Sequence, residues 1–517
     1  MEYKEELQAD LFSPQDLMQM EARGITPDKA LEQVRMISEG TPYPEIITSA
    51  SLDRGIVRID LSEKSAYLDL WEDYMQSLEA NVTKMVPASG AATRMFKDLY
   101  AFLEAPYDIP QTESEQLFFE RIQDFAFYGL LNEACLRNNW RPIQKLVSQE
   151  DFKLVVKNLL QKDGINYGNL PKGLLLFHKG LKHPRTAVEE HMVEAAIYTR
   201  PNDGLVKLHF TVSTEHREAF MALIEKKKIE YEDYYCVRYD ISLSEQKSST
   251  DTIALTPQGE IFRLPEGEML FRPGGHGALI QNLNDLDADI VFIKNIDNVV
   301  PEEQLCDTIV YKKLLGGILV ALRRQVFAYV GKLKQAKTSR NELNEIYSFL
   351  RENFAICLPD VDKIDDNRLQ AALLSKLDRP LRVCGMVKNE GEPGGGPFII
   401  REPDGSSSLQ ILESSQIDTS REDQLALFRE GSFFNPVDLV CSKLRPEGGH
   451  YDLNEFVNAK TAFVSEKTYN GKPLLGLELP GLWNGGMHHW LTLFVEVPLT
   501  TFSPVKEVND LLDPVHQ

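Results

Sequence analysis

The chain has 517 residues, too many for one small core, and its length predicts about three folding units at roughly 150 residues each. With 56 Lys+Arg against 78 Asp+Glu the formal charge is −22, which argues against coating nucleic acid or an anionic membrane and confines any anionic substrate to a local basic exception. The six cysteines (Cys135, Cys236, Cys306, Cys357, Cys384, Cys441) form no CxxC pair, and the polar start and the absence of a long unbroken apolar run predict a cytoplasmic protein with no membrane partner.

Residues 1–80 read as a helical extension, because Ser13-Pro14 and Thr26-Pro27 are cap-plus-proline starts and Leu31, Val34 and Ile37 follow at helical spacing up to Gly40. An α/β unit is expected over 81–330, with a helical insertion at about 105–162 where LFFERIQDFAFYGLLNEACL and DFKLVVKNLL carry a 3.6-residue apolar period. Inside it, LVKLHFTVS, YYCVRYDIS, TDTIAL and DIVFIKNIDN read as strands, alternating with the helical patterns TAVEEHMVEAAIY and EHREAFMALIEKKK; this alternation implies a parallel sheet covered by helices. Gly316-Gly317 are expected to interrupt a helix in the region after 302. Residues 331–379 read as a helical connector and 380–517 as a β-rich part with PGGGPFII, GSSSLQIL and LTLFVEVP as strands.

The chemistry concentrates in Val86–Lys97, VPASGAATRMFK. An apolar strand ends in small residues whose backbone N–H groups can face an anion, Thr93 is placed to cap the next helix, and Arg94 and Lys97 follow. The competing explanation is a strand-to-helix turn in which small residues let two elements pack. Acids vanish while bases remain in three stretches: 84–97; 164–188, with Lys172, Lys179, Lys182, Arg185, His178 and His183; and 271–284, with Arg272 and His276. If these converge they make a positive pocket in a negative protein. Asp297 follows the apolar run Ile290–Ile293, and one carboxylate at the end of a buried strand is enough to present Mg²⁺ to substrate phosphates.

These pieces resemble, in order, the motifs of nucleotide-sugar pyrophosphorylases. ASGAATRM (88–95) resembles their G-x-G-T-R signature, Pro171-Lys172-Gly173 their P-K-G, RPGGHG (272–277) their nucleotide loop, Asn295-Ile296-Asp297-Asn298 their N-x-D-N metal strand, and Phe502-Ser503-Pro504-Val505-Lys506 their late F-x-P-x-K. The chain is most similar to a bacterial family known as a domain of unknown function within the nucleotide-diphospho-sugar transferase superfamily. The resemblance implies an α/β fold with a Rossmann-like, mostly parallel mixed sheet of GT-A type. It also implies transfer of a nucleoside monophosphate from a nucleoside triphosphate, UTP favoured, to a sugar 1-phosphate with release of pyrophosphate and Mg²⁺ as cofactor. By carry-over, Ala88, Ser89, Gly90, Gln246, Gly275, His276 and Gly277 contact the nucleotide, Arg94, Lys172 and Lys506 act on the phosphates, and Asp297 holds the metal. Ser89 and Ala92 replace family glycines, and each added side chain is expected to narrow the approach to the backbone.

The sugar pocket is expected at VCGMVKNEGEPGGGPF, where Asn389, Glu390 and Glu392 can hydrogen-bond hydroxyls, with WNGGMHHW (483–490) adding aromatic faces. Two other functions stay open: a non-catalytic nucleotide or nucleotide-sugar binding protein, which the altered loop permits, and an NAD-dependent oxidoreductase. The latter is disfavoured because Ile280 stands where GGHGAL would need its third glycine. The sugar, the base and the oligomeric state are not encoded legibly.

Overall fold

The computed structural model describes residues 11–335, 337–391 and 394–517. Helices and sheets alternate through it, giving a mixed α/β fold in which the chain folds into two compact units, each assembled from separate stretches.

The unit formed by Glu72–Ser244, Ile293–Leu314 and Pro498–Gln517 is built on three parallel strands, Val82–Pro87, Leu205–Thr211 and Arg238–Ser244. Their register aligns Pro87 with Thr211 and Thr211 with Ser244, so all three strands end together. Helix Ala187–Tyr198 covers this sheet, opened by a capping box between Thr186 and Glu189. Nearly every residue of that helix is buried, including the ionisable Glu189, Glu190, His191 and Glu194. The helices between Lys97 and Leu160 add an aromatic core of Phe102, Phe118, Phe119, Phe125 and Phe127 around Val86 and Phe96.

The other unit holds described residues through Trp71, then Glu245–Phe292 and Leu315–Val497. Strands Ile56–Val57, Leu491–Glu496 and Leu381–Lys388 run parallel, and Leu439–Ser442 pairs antiparallel with the last of them. A three-stranded antiparallel sheet joins Glu45–Ser49, Gly396–Arg401 and Ser407–Leu412. A four-stranded one joins Phe463–Tyr469, Lys472–Glu478, Thr252–Leu255 and Phe271–Arg272.

Three local expectations change. The stretch before residue 80 is not purely helical: Glu45–Ser49 is a strand because Gly396–Arg401, far along the chain, offers it an edge. YYCVRYDIS is split, since Tyr234 and Tyr235 finish helix Arg217–Tyr235, Cys236 takes the left-handed cap at φ 51°, and the strand starts only at Arg238. Gly316 and Gly317 do not interrupt their helix, which runs unbroken from Cys306 to Leu333.

That helix is long and apolar enough to cross a membrane by length and composition, and 67% of its most apolar window is covered by the rest of the chain. Its glycines serve close packing against helix Leu61–Gln76. A Cβ on Gly316 would stand 2.5 Å from the Trp71 ring, and one on Gly317 would stand 1.9 Å from the Tyr67 carbonyl oxygen. Backbone cannot yield as a flexible side chain can. Gly317→Ala is therefore expected to lower stability by about 2–4 kcal/mol in equilibrium denaturation, despite alanine's better helix propensity.

Candidate phosphate cradle at the end of the parallel strands

Strand Val82–Pro87 delivers residues 88–91 to the carboxyl ends of the three parallel strands, where open α/β sheets leave room for ligands. The first N–H of the loop is already used: Ala88 is fully buried and donates to the Thr211 carbonyl at 2.8 Å, so it offers a ligand no donor. The next three differ. The N–H groups of Ser89, Gly90 and Ala91 donate to no described residue, Gly90 and Ala91 are exposed, and a Cβ on Gly90 would meet nothing within 4 Å. Three successive N–H groups without a described acceptor make this loop a candidate anion seat.

The loop is fixed from below. Ala92 donates to Leu170 O at 3.2 Å and Lys172 N to Gly90 O at 3.3 Å, which clamps 90–92 against the segment 170–172. Gly173 is a packing glycine, since a Cβ there would come 2.9 Å from the Phe220 ring. Lys172 Nζ donates to Asp297 Oδ2 at 2.8 Å and to Val505 O at 2.6 Å. Val505 N in turn donates to Asp297 O, Ser503 N to Asn298 Oδ1, and Val508 N to Met95 O, so the late segment is laced between the two. Three sequence-remote segments, 89–95, 170–173 and 297–298, are thereby joined with 503–508 into one substructure.

The charged groups around it have distinct situations. Arg94 is exposed on the 3₁₀ turn Ala92–Arg94 and makes no hydrogen bond or ion pair with a described residue. The Lys172 and Asp297 side chains are only 12% and 22% exposed, so their attraction is less screened than that of a surface pair. Lys506 Nζ lies 5.8 Å above the Phe502 ring while its backbone N–H donates to Asp510. Thr93 does not cap the next helix: it lies inside the 3₁₀ turn, and helix Lys97–Glu104 begins after Phe96 without a side-chain cap. Ala92 is fully buried in the core, so its methyl group does not narrow the seat; only Ser89 adds a side chain near it.

No group of three or more His, Cys, Asp or Glu able to hold a metal occurs among the described residues. Asp297 nonetheless fits Mg²⁺, whose usual arrangement is one or two carboxylates completed by substrate phosphates and water. Only its Oδ2 is engaged, leaving Oδ1 without a described donor.

A family model described as "Domain of unknown function (DUF4301)" matches residues 13–517. The chain belongs to this family. Comparison with curated protein sequences gives no match. The backbone of this DUF4301 chain is similar to that of the uridine diphosphate N-acetylglucosamine pyrophosphorylase from Trypanosoma brucei, at 13% identity and a TM-score of 0.47, covering 94% of this chain and 75% of that one. It is also similar to the UDP-glucose pyrophosphorylase from Leishmania major, at 13% identity and a TM-score of 0.44 over 97% and 79%. The UDP-glucose phosphorylase from Trypanosoma brucei gives 13%, 0.43, 96% and 77% in the same order.

Beneath the cradle lies a charge cluster that no sequence pattern announced. Glu194, fully buried on helix Ala187–Tyr198, accepts from Lys84 Nζ at 2.8 Å and from Lys294 Nζ at 2.7 Å. Lys84 precedes the loop on its strand and Lys294 precedes Asp297. Burial, opposed in part by Glu194, pushes the Lys84 ammonium down to about 7. Burial also works against ionisation of Glu194, but Lys294 and Lys84 hold its carboxyl far below the ordinary range. His191, on the same helix, is driven well below its usual value by burial and by Lys84.

The other bases of the acid-free stretch 164–188 do not converge on the cradle. Lys179 lies 3.9 Å from Asp124, Lys182 sits over Tyr234, and Arg185 pairs with Glu190 and Glu302. His183 faces Glu189 and Glu230, and His178 stands 2.9 Å from Glu190 and 3.0 Å from His516. Asp124, Glu230 and Glu302 come from other segments, while Glu189 and Glu190 directly follow the stretch.

The remaining candidates lie in the other unit. Gln246 Nε2 donates to Gly275 O at 2.9 Å. The faces of Gly274 and Gly277 are filled by protein, because a Cβ on either would come 2.6 Å from the Thr250 or Pro480 carbonyl oxygen. His276 stacks at 4.4 Å on Trp483, its Nδ1 is buried without a partner, and burial pushes the imidazole down to about 4. The expected sugar loop is largely self-satisfied: Asn389 Oδ1 accepts from Gly391 N, Glu390 is exposed, and Glu392 lies outside the described residues. In WNGGMHHW, Asn484 donates to Glu413 and Gln416, and His488 bonds Glu402.

Two outcomes follow for the unit that carries the cradle. Glu194→Gln strands two buried ammonium groups and is expected to cost about 3–5 kcal/mol in denaturant titration, whereas Lys84→Met leaves the Lys294–Glu194 pair intact and costs less. Glu190, facing His178, Arg185, Glu189 and Glu194, is raised by burial to about 8, and its Oε2 has no hydrogen-bond partner. The folded state therefore holds a proton that the unfolded chain releases near 4.5. This contribution is complete below that value and is lost as pH rises through about 8, so thermal unfolding of Glu190→Gln is expected to fall less steeply with pH across this window than the parent.

Proposed function

We propose that the chain is a sugar-1-phosphate nucleotidyltransferase, binding a nucleoside triphosphate, UTP favoured, and releasing pyrophosphate when a sugar 1-phosphate attacks. The observation that supports this reading is the run of free N–H groups at Ser89, Gly90 and Ala91, set beside Lys172 and Asp297 at the end of parallel strands.

In-line displacement at the α-phosphorus needs positioning and charge neutralisation rather than a covalent nucleophile. The loop N–H groups would hold non-bridging phosphate oxygens. Arg94, without a protein partner, and Lys172 would carry the charge that develops on the departing pyrophosphate, with Lys506 reaching the same phosphates. Lys172 is held by Asp297 and the Val505 carbonyl in the free protein, and the incoming phosphates would compete with both for its ammonium. Mg²⁺ bound through Asp297 would supply further neutralisation of the triphosphate.

Ala92 is buried, so its methyl group leaves the face of the loop open to a nucleotide. The decisive assay is pyrophosphate release across a matrix of nucleoside triphosphates and sugar 1-phosphates with Mg²⁺. Arg94→Ala and Asp297→Ala are each expected to lower turnover about 10²–10³-fold, the former with the melting temperature nearly unchanged because Arg94 is exposed and has no partner among the described residues. Near-normal turnover in both variants would refute the assignment, and nucleotide binding without pyrophosphate release under any pairing would convert the chain to a nucleotide sensor.

A further inference from the structure

The unit through Trp71, Glu245–Phe292 and Leu315–Val497 contains a cavity of about 500 Å³ lined by three arginines. Arg54 comes from the turn between strands Glu45–Ser49 and Ile56–Val57, Arg351 from helix Arg340–Phe354, and Arg401 from strand Gly396–Arg401. No carboxylate lines the cavity, although the chain carries 78 Asp+Glu.

The guanidinium groups are weakly engaged. Arg54 donates to Thr48 Oγ1 at 3.0 Å. Arg351 stands 3.8 Å from its neighbour Glu352 and Arg401 3.4 Å from Glu45, and all four of these side chains are more than half exposed, where ion pairs contribute little. Glu352 and Glu45 offset two of these charges in the free protein, and a bound dianion would compete with them for the guanidinium groups. Gly55 and Gly405 keep the wall low; both have left-handed φ, at +86° and +81°. Ile47 and Ile399 add an apolar side that a bare ion would not use. The volume falls within the ordinary range of small-molecule sites.

We propose that this cavity binds the phosphate group of a small phosphorylated molecule, gripped by the three guanidinium forks with its organic part against Ile47 and Ile399. The site does not depend on the reaction proposed above, since none of its lining residues belongs to the unit that carries the cradle.

Cys357 supplies a local reporter, being exposed and on the cavity wall, while Cys236 and Cys306 are exposed outside that lining. Maleimide alkylation of each cysteine in the full-length protein is followed by mass spectrometry with inorganic phosphate, pyrophosphate, glucose 1-phosphate or chloride at matched ionic strength. Pyrophosphate or glucose 1-phosphate is expected to slow Cys357 about fivefold once at several times its Kd, leaving Cys236 unaffected. Arg351→Gln combined with Arg401→Gln is expected to raise the half-protecting concentration about tenfold or more, and Lys172→Ala to leave it unchanged. Equal protection by inorganic phosphate would assign recognition to the phosphate alone, and stronger protection by the sugar ester would bring in the apolar wall. An unchanged Cys357 rate with every phosphate probe, parallel protection of Cys236, or protection that survives the double arginine variant overturns the site.

Discussion

The arrangement on which the cradle depends is the fully buried carboxylate of Glu194 held between two ammonium groups. It ties the strand that ends in the anion seat to the segment that presents Asp297, and it does so from a helix whose own start is fixed by the Thr186–Glu189 box. Two buried lysines on one carboxylate leave an excess of positive charge close to the loop, with Lys312 adding to the strain on Lys84. In a low-dielectric interior such an excess is costly, and it persists only where packing and hydrogen bonds fix every partner. The Lys84 contact with the His191 carbonyl and the ring of Tyr198 beneath the ammonium help to do so.

That buried excess also bears on the anion seat. The N–H groups of Ser89, Gly90 and Ala91 present partial positive charge at the surface, and the lysines below reinforce its sign from within. Lys172 is paired in the free protein, so the cradle is not an open cluster of cations that would attract any anion. Its mobile charge is chiefly Arg94, and a ligand must compete with Asp297 and Val505 O for Lys172.

The two units handle basic residues differently. Around the cradle, most bases of the 164–188 stretch are matched by acids from distant segments, leaving few cations free. The arginine-lined cavity of the other unit draws its nearest acids, Glu45 and Glu352, from outside its lining. Both patterns occur in a chain of net charge −22, which makes local positive potential a property of placement rather than of composition.

Sequence alone marked most of the alternation of helices and strands between 163 and 300, because apolar period and capping residues such as Thr186 are local signals. It also marked Ser89, Gly90, Arg94, Lys172 and Asp297, since small residues after a strand and a carboxylate after a buried run are patterns a single segment can carry. What tertiary structure decided was partnership. Ala88 loses its donor to Thr211, Gly274 and Gly277 press against other backbone, and Lys179, Lys182 and Arg185 are claimed by acids or rings remote in the chain. Glu194 was invisible because a glutamate within an apolar helix announces nothing until two lysines from separate strands close on it. Hydrogen bonds and ion pairs act through space over a few ångströms, whereas sequence patterns register only neighbours along the chain.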